Sequence, residues 1–104
     1  MNQQYKQQRK YERLLFREDV LLDGTRRCTS MDICEGGLYI SVMQVFQEDS
    51  VIDVTIPVKG DMVTVKAQVQ YCQPGIGMGI EFVEMDDRQK AVIKELIEGL
   101  KNSP

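Results

Sequence analysis

Two neighbouring stretches near the middle of the chain alternate in period two, and they restrict its fold more than any other feature. In Val51–Val58, the residues Ile52, Val54, Ile56 and Val58 fall on one parity, with Val51, Asp53, Thr55 and Pro57 on the other. In Met62–Cys72, the residues Val63, Val65, Ala67, Val69 and Tyr71 alternate with Thr64, Lys66, Gln68 and Gln70. Successive side chains of a strand point to opposite faces, so both stretches predict strands with one buried face. Lys59-Gly60-Asp61 turns the chain between them. Pro57 lacks an N–H and belongs at an edge or a strand end.

Weaker signals flank this pair. Leu14–Leu22 reads as one strand, although Arg17-Glu18-Asp19 interrupts its apolar character. Asp23-Gly24 supplies a hairpin turn, a short strand follows over Arg26–Asp32, and Glu35-Gly36-Gly37 turns into Leu38–Val42. Pro74-Gly75 punctuates before a last strand whose inner face is Met78, Ile80 and Phe82. After Met85 the period changes: Val92, Ile93, Leu96, Ile97 and Leu100 recur at helical spacing, and Asp86 with Gln89 has the spacing of a capping box. Five or six short strands and one terminal helix, over about 86–101, predict an all-β fold: a small antiparallel β-barrel over 14–104 with the helix packed on it. A chain of 104 residues supports one such domain without disulfides or a structural metal.

Charge is distributed unevenly along this chain. The net charge is -3, yet Lys6, Arg9, Lys10 and Arg13 face only Glu12 within residues 1–13. A basic arm of charge +3 therefore precedes a body of charge -6. The arm is Gln-rich and has little apolar material, so by itself it is expected to be flexible. The acidic body argues against long nucleic acids, whereas the arm suits a small anion.

Several function classes are excluded. The chain contains no histidine, which removes Ser-His-Asp and Cys-His catalytic units and any zinc site that needs imidazole. Cys28, Cys34 and Cys72 are odd in number and form no C-x-x-C pair; they read as reduced thiols. The apolar runs are too short for a membrane span or an ordinary export signal, so a cytoplasmic protein is expected, without cofactor or metal and not an enzyme.

Two short patterns carry binding chemistry. Arg9-Lys10-Tyr11-Glu12-Arg13 is an R-x-x-x-R at the junction of arm and first strand. Arginine offers a planar set of donors for phosphate or for a guanine edge. Arg13 and Arg17 repeat the spacing, but Glu18 and Asp19 would partly neutralise the second pair. The other pattern is Asp32-Ile33-Cys34-Glu35-Gly36-Gly37. A carboxylate can accept from the N1–H and N2–H₂ donors of guanine, and adjacent glycines let a ligand approach the backbone. Taken singly, the first pattern also fits a solvated tail and the second an ordinary loop between strands.

Taken in order, R-x-x-x-R, a strand hairpin and then [D/N]-x-S-x-x-G resemble the PilZ domain family, with Cys34 where that family usually has serine. Gly37-Leu38-Tyr39-Ile40, the strand Gly77-Met78-Gly79-Ile80-Glu81-Phe82 and the terminal helix fit its layout as well. The resemblance implies a six-stranded barrel and a bacterial receptor for cyclic di-GMP. Arg9 and Arg13 would clamp phosphates and guanines, Asp32 with Cys34 would read a guanine edge, and Gly37 would keep the loop close. Ligand would order the arm over the barrel, and a downstream protein partner would read the changed surface. The alternative is a PilZ-like adaptor that has lost the nucleotide and works through protein contacts, a reading that Cys34 supports. A single-strand-binding barrel would need a basic groove and stacking aromatics, against an acidic body.

Overall fold

The protein was analysed as a computed structural model that describes residues 12–102. Seven strands and one helix follow in order: β1 (Leu14–Leu15), β2 (Asp19–Leu22), β3 (Arg26–Cys34), β4 (Gly37–Ser41), β5 (Val51–Val58), β6 (Asp61–Gln73), β7 (Gly77–Val83) and α1 (Asp87–Lys101). All pairings are antiparallel. The neighbours run β3-β2-β5-β6-β7-β4, and β4 pairs back onto β3, which closes a six-stranded barrel. Closure removes the free edges that an open sheet of this size would expose.

The turns follow from their residues. Lys59 and Gly60 link β5 to β6 with φ of 50° and 80°, the conformation of a two-residue hairpin whose twist matches the strands. Asp23 and Gly24, with φ of 52° and 75°, open a three-residue loop, Asp23-Gly24-Thr25, between Leu22 of β2 and its partner Arg26 of β3. Gln73-Pro74-Gly75-Ile76 closes with a 2.9 Å bond from the Ile76 amide to the Gln73 carbonyl. Pro57 stands opposite Met62, one pair from the turn, at the strand end where its missing donor costs least.

The period-two residues fill the barrel. Val54, Ile56, Val65, Ala67, Val69, Leu38, Ile40 and Met78 are all fully buried. Ile93, Leu96 and Ile97 of α1 join the same cluster, and the helix rests on β1 and β6. Its capping box is complete: the Gln89 amide donates to Asp86 Oδ1 at 2.7 Å and the Asp86 amide to Gln89 Oε1 at 2.9 Å.

Two sequence expectations need correction here. Leu14–Leu22 is two strands rather than one. Both pair with the same side of β3, but Leu14↔Ile33 and Asp19↔Thr29 differ in register by one residue. The slack is taken up around Arg17, where the buried Ser30 hydroxyl donates to the Phe16 carbonyl at 2.7 Å and accepts from the Glu18 amide at 3.1 Å. The alternation of β6 also fails at its end. Val69 pairs with Ile80 but Tyr71 pairs with Gly79, so a bulge at Gln70 turns Tyr71 outward, where it is 46% exposed. A matching shift in β3, between Ser30↔Ile40 and Asp32↔Tyr39, keeps Ser30 inside and turns Asp32 out. Without the bulge, Asp32 would share the inward parity of Ser30 and bury a carboxylate in the core.

Candidate functional site

The two bulges and the register of β1 assemble one outward face. Across the barrel wall, Leu15 pairs with Asp32, Asp32 with Tyr39, Tyr39 with Gly79, and Gly79 with Tyr71. The adjacent row holds Cys34, Gly37, Glu81 and Gln68, each paired with the next. Arg13, two residues before Leu15, stands beside Cys34. The chain-distant patterns Arg13 and Asp32–Gly37 are thereby neighbours on one surface.

Arg13 and Asp32 touch directly. Nε donates to Asp32 Oδ1 at 2.8 Å and Nη2 lies 2.6 Å from the same oxygen, while Nη1 reaches Cys34 Sγ at 3.8 Å. Both strong contacts converge on Oδ1, and Oδ2 accepts no hydrogen bond among the described residues. The two side chains keep 29% and 32% of their surface exposed, so the pair contributes little stability by itself, of order 1 kcal/mol or less. A polar ligand can still reach it.

Gly37 has a different role from the turn it was expected to make. It is the first residue of β4, and the turn is Glu35-Gly36. A Cβ at Gly37 would run into the Ile80 carbonyl oxygen, with the Ile80 carbonyl carbon at 3.0 Å and Glu81 Cα at 3.2 Å. Glycine is required there because β4 passes so close to the backbone of β7. The Gly36 carbonyl accepts the Phe82 amide at 2.8 Å and pins the same corner.

Two shallow depressions flank these residues, and Arg13 and Tyr71 line both. One, of about 540 Å³, is floored by Cys34–Leu38 and Gly79–Phe82. The other, of about 510 Å³, is bounded by Leu15, Met31, Asp32 and Tyr39. Arg13 is the single cation lining either one among the described residues, against Asp32, Glu35 and Glu81. A further hollow between α1 and the β5–β6 hairpin contains Lys59, Asp86, Arg88 and Glu95 and none of the candidate binding residues Arg13, Asp32, Cys34 and Gly37.

Asp32, Cys34, Gly37 and Arg13 are thus brought together, whereas Arg9 lies outside the described residues. Sequence reasoning missed Tyr39, Tyr71 and the outward glycines beneath them. The alternation Gly77-Met78-Gly79 was a signal, since glycine at every second position marks an outer face without side chains. Tyr71 had no local signal, because its direction depends on the bulge. Among the described residues, no cluster of three or more Cys, Asp or Glu side chains could hold a metal ion. No described helix is long and apolar enough to cross a membrane.

Comparisons with known proteins bear on the family and the fold. The family model described as PilZ domain matches residues 7–99. The Bacillus subtilis inhibitor of motility (MotI/DgrA) is similar in structure, with a TM-score of 0.73 and 20% identity over 93% of this chain and 53% of that one. The PilZ domain of CeSA from a cellulose-synthesizing bacterium is similar with a TM-score of 0.71 and 15% identity, over 88% of this chain and 99% of that one. The Borreliella burgdorferi PlzA protein, solved in complex with c-di-GMP, gives 0.61 and 13%, over 91% of this chain and 43% of that one. This chain spans about half the length of the first and less than half of the third. No curated protein matches significantly in sequence.

Proposed function

Because the chain belongs to the PilZ domain family, a family of receptor and adaptor domains rather than enzymes, we propose that it is a receptor for cyclic di-GMP. The observation that carries this reading is the Arg13–Asp32 contact at 2.8 Å, which joins the two sequence patterns at an accessible surface. Arg13 would engage a phosphate or guanine of the ligand. Asp32 would accept from a guanine edge, with Oδ2 available for the second donor. Cys34 would contact the ligand more weakly than serine, and Gly37 holds the loop in place. PlzA, similar in fold, was solved with c-di-GMP.

The charge of the site supports a role for the arm. Arg13 alone, facing three carboxylates, makes a poor receptor for a ligand with two phosphodiester charges. Residues 1–13, with a charge of +3, would supply the missing cations through Arg9 and Lys10. In this reading residues 1–13 form the arm and 14–104 the barrel and helix, and the arm closes over the ligand on binding. Glu12 lies 3.8 Å from Lys101 at the end of α1, so closure would alter the surface beside the helix. A protein partner would read that change.

Titration calorimetry with cyclic di-GMP tests the reading. Heat is expected for the wild type at micromolar concentration, and loss of at least tenfold in affinity for each of Arg9→Ala, Arg13→Ala and Asp32→Ala. A silent wild type would refute the receptor and leave a protein-binding adaptor.

A further inference from the structure

The two tyrosines beside Asp32 are arranged in a way the barrel itself does not require. Tyr39 lies over Gly77 and Tyr71 over Gly79: a Cβ built on Gly77 would sit 2.5 Å from Tyr39 Cζ, and one on Gly79 would sit 2.5 Å from Tyr71 Cε1. The two ring centroids are 6.3 Å apart with planes tilted by 34°. That separation is close to the repeat of two residues along a strand, about 6.6 Å. The rings therefore lie side by side along β7 rather than on top of each other. Neither phenol makes a hydrogen bond among the described residues. Glycines at two outward strand positions weaken a sheet, and the bulge at Gln70 spends a ladder pair to bring Tyr71 out. Both devices serve one result, an aromatic pavement next to the Arg13–Asp32 pair.

We propose that Tyr39 and Tyr71 form the stacking surface for one guanine of the ligand and set its edge against Asp32. This rests on the receptor reading above and adds residues to it. Tyr39 is the direct cross-strand neighbour of Asp32, so their Cβ atoms are about 5 Å apart. The rings lie over β7, and they line one depression with Arg13 and Asp32, so a purine lying flat on them would direct its N1 and N2 donors across that depression toward Asp32. Stacking supplies a face that any base could use, and Asp32 supplies the choice of guanine.

The test combines calorimetry with the proton spectrum of cyclic di-GMP on the full chain. Tyr71→Leu and Tyr39→Leu keep an apolar cover over the glycines but remove the planar ring. Each is expected to weaken binding about tenfold, and Tyr71→Phe and Tyr39→Phe less than twofold. The guanine H8 signal is expected to move upfield on binding wild type, by the ring current, and to lose most of that shift with either leucine variant. Circular dichroism melts confirm that each variant folds, and Gly79→Ala, whose methyl would push the Tyr71 ring aside, gives an independent perturbation. If the leucine variants bind as wild type does while Arg13→Ala loses affinity, stacking is overturned and the receptor stands. If phenylalanine variants are as weak as leucine variants, the hydroxyls act and stacking is again overturned. A wild type that binds no cyclic di-GMP overturns both readings.

Discussion

Replacing Gly37 by alanine should unfold the protein well below its normal melting temperature even without any ligand. The added methyl would overlap the Ile80 carbonyl oxygen and press on the Ile80 carbonyl carbon and Glu81 Cα. All three atoms are backbone, so no side chain can rotate away. Relief requires β4 to move off β7 at the Gly37↔Glu81 and Leu38↔Ile80 pairs. Leu38 and Ile40 are fully buried on that strand, and a radial gap of about 0.5–1 Å forfeits a quarter to a half of each contact. Overpacking of this kind costs about 1–3 kcal/mol. A strained ladder or corner hydrogen bond, such as the one from Phe82 to Gly36, adds about 1 kcal/mol.

A loss near 3 kcal/mol lowers the melting temperature of a domain this size by roughly 12–24 °C. Far-UV circular dichroism, by heat and by urea, measures it directly. Gly24→Ala is the control: its φ is 75° but nothing lies within 4 Å of an added methyl, so only the backbone conformation is penalised, by about 1 kcal/mol. The reasoning fails if Gly37→Ala melts within a few degrees of wild type, or if the Gly24 control loses as much.

Other outcomes follow from the same geometry. Ser30→Ala should cost about 1–3 kcal/mol in urea denaturation, because the Phe16 carbonyl and Glu18 amide lose their partner at the β1–β2 break; a change below about 0.5 kcal/mol, the scatter of surface variants, would contradict it. Cys34→Ser replaces a weak 3.8 Å sulfur contact to Arg13 by a hydroxyl, and should tighten cyclic di-GMP binding by up to about tenfold in calorimetry; equal or poorer affinity would count against Cys34 as a ligand contact. Burial pushes the Cys28 thiol above its ordinary value, with Arg26 opposing in part. The folded chain then holds that proton to higher pH than the unfolded one, so iodoacetamide labelling of Cys28 should rise at higher pH in buffer than in urea. Mass spectrometry of the labelled peptide would expose a coincident or reversed order.

How much could be read beforehand depends on how local each signal is. The β5–β6 hairpin was legible because its alternation and its Lys59-Gly60 turn are properties of adjacent residues. The capping box of α1 was legible for the same reason, since Asp86 and Gln89 stand three apart. Leu14–Leu22 was misread because its interruption belongs to the register of β3, set by which residues Ser30 can bond. Gly37 was assigned a turn because its neighbour Gly36 makes one; its own need for a small residue appears only when β7 arrives against it. Asp32 was singled out from its local pattern, but that it faces solvent beside Arg13 depends on the bulge at Met31.

The sequence by itself therefore determined the elements, the closed all-β class with its terminal helix, and the chemistry of Arg13 and Asp32. Periodicity, turn residues and caps act within a few positions, and no partner is needed to read them. Only the tertiary structure decided which faces meet. A single extra residue in a paired strand exchanges inside for outside, and whether it is extra depends on a partner far along the chain. That is why Tyr71, the last residue of the clearest alternation in the sequence, points away from the core and toward Asp32's side of the barrel.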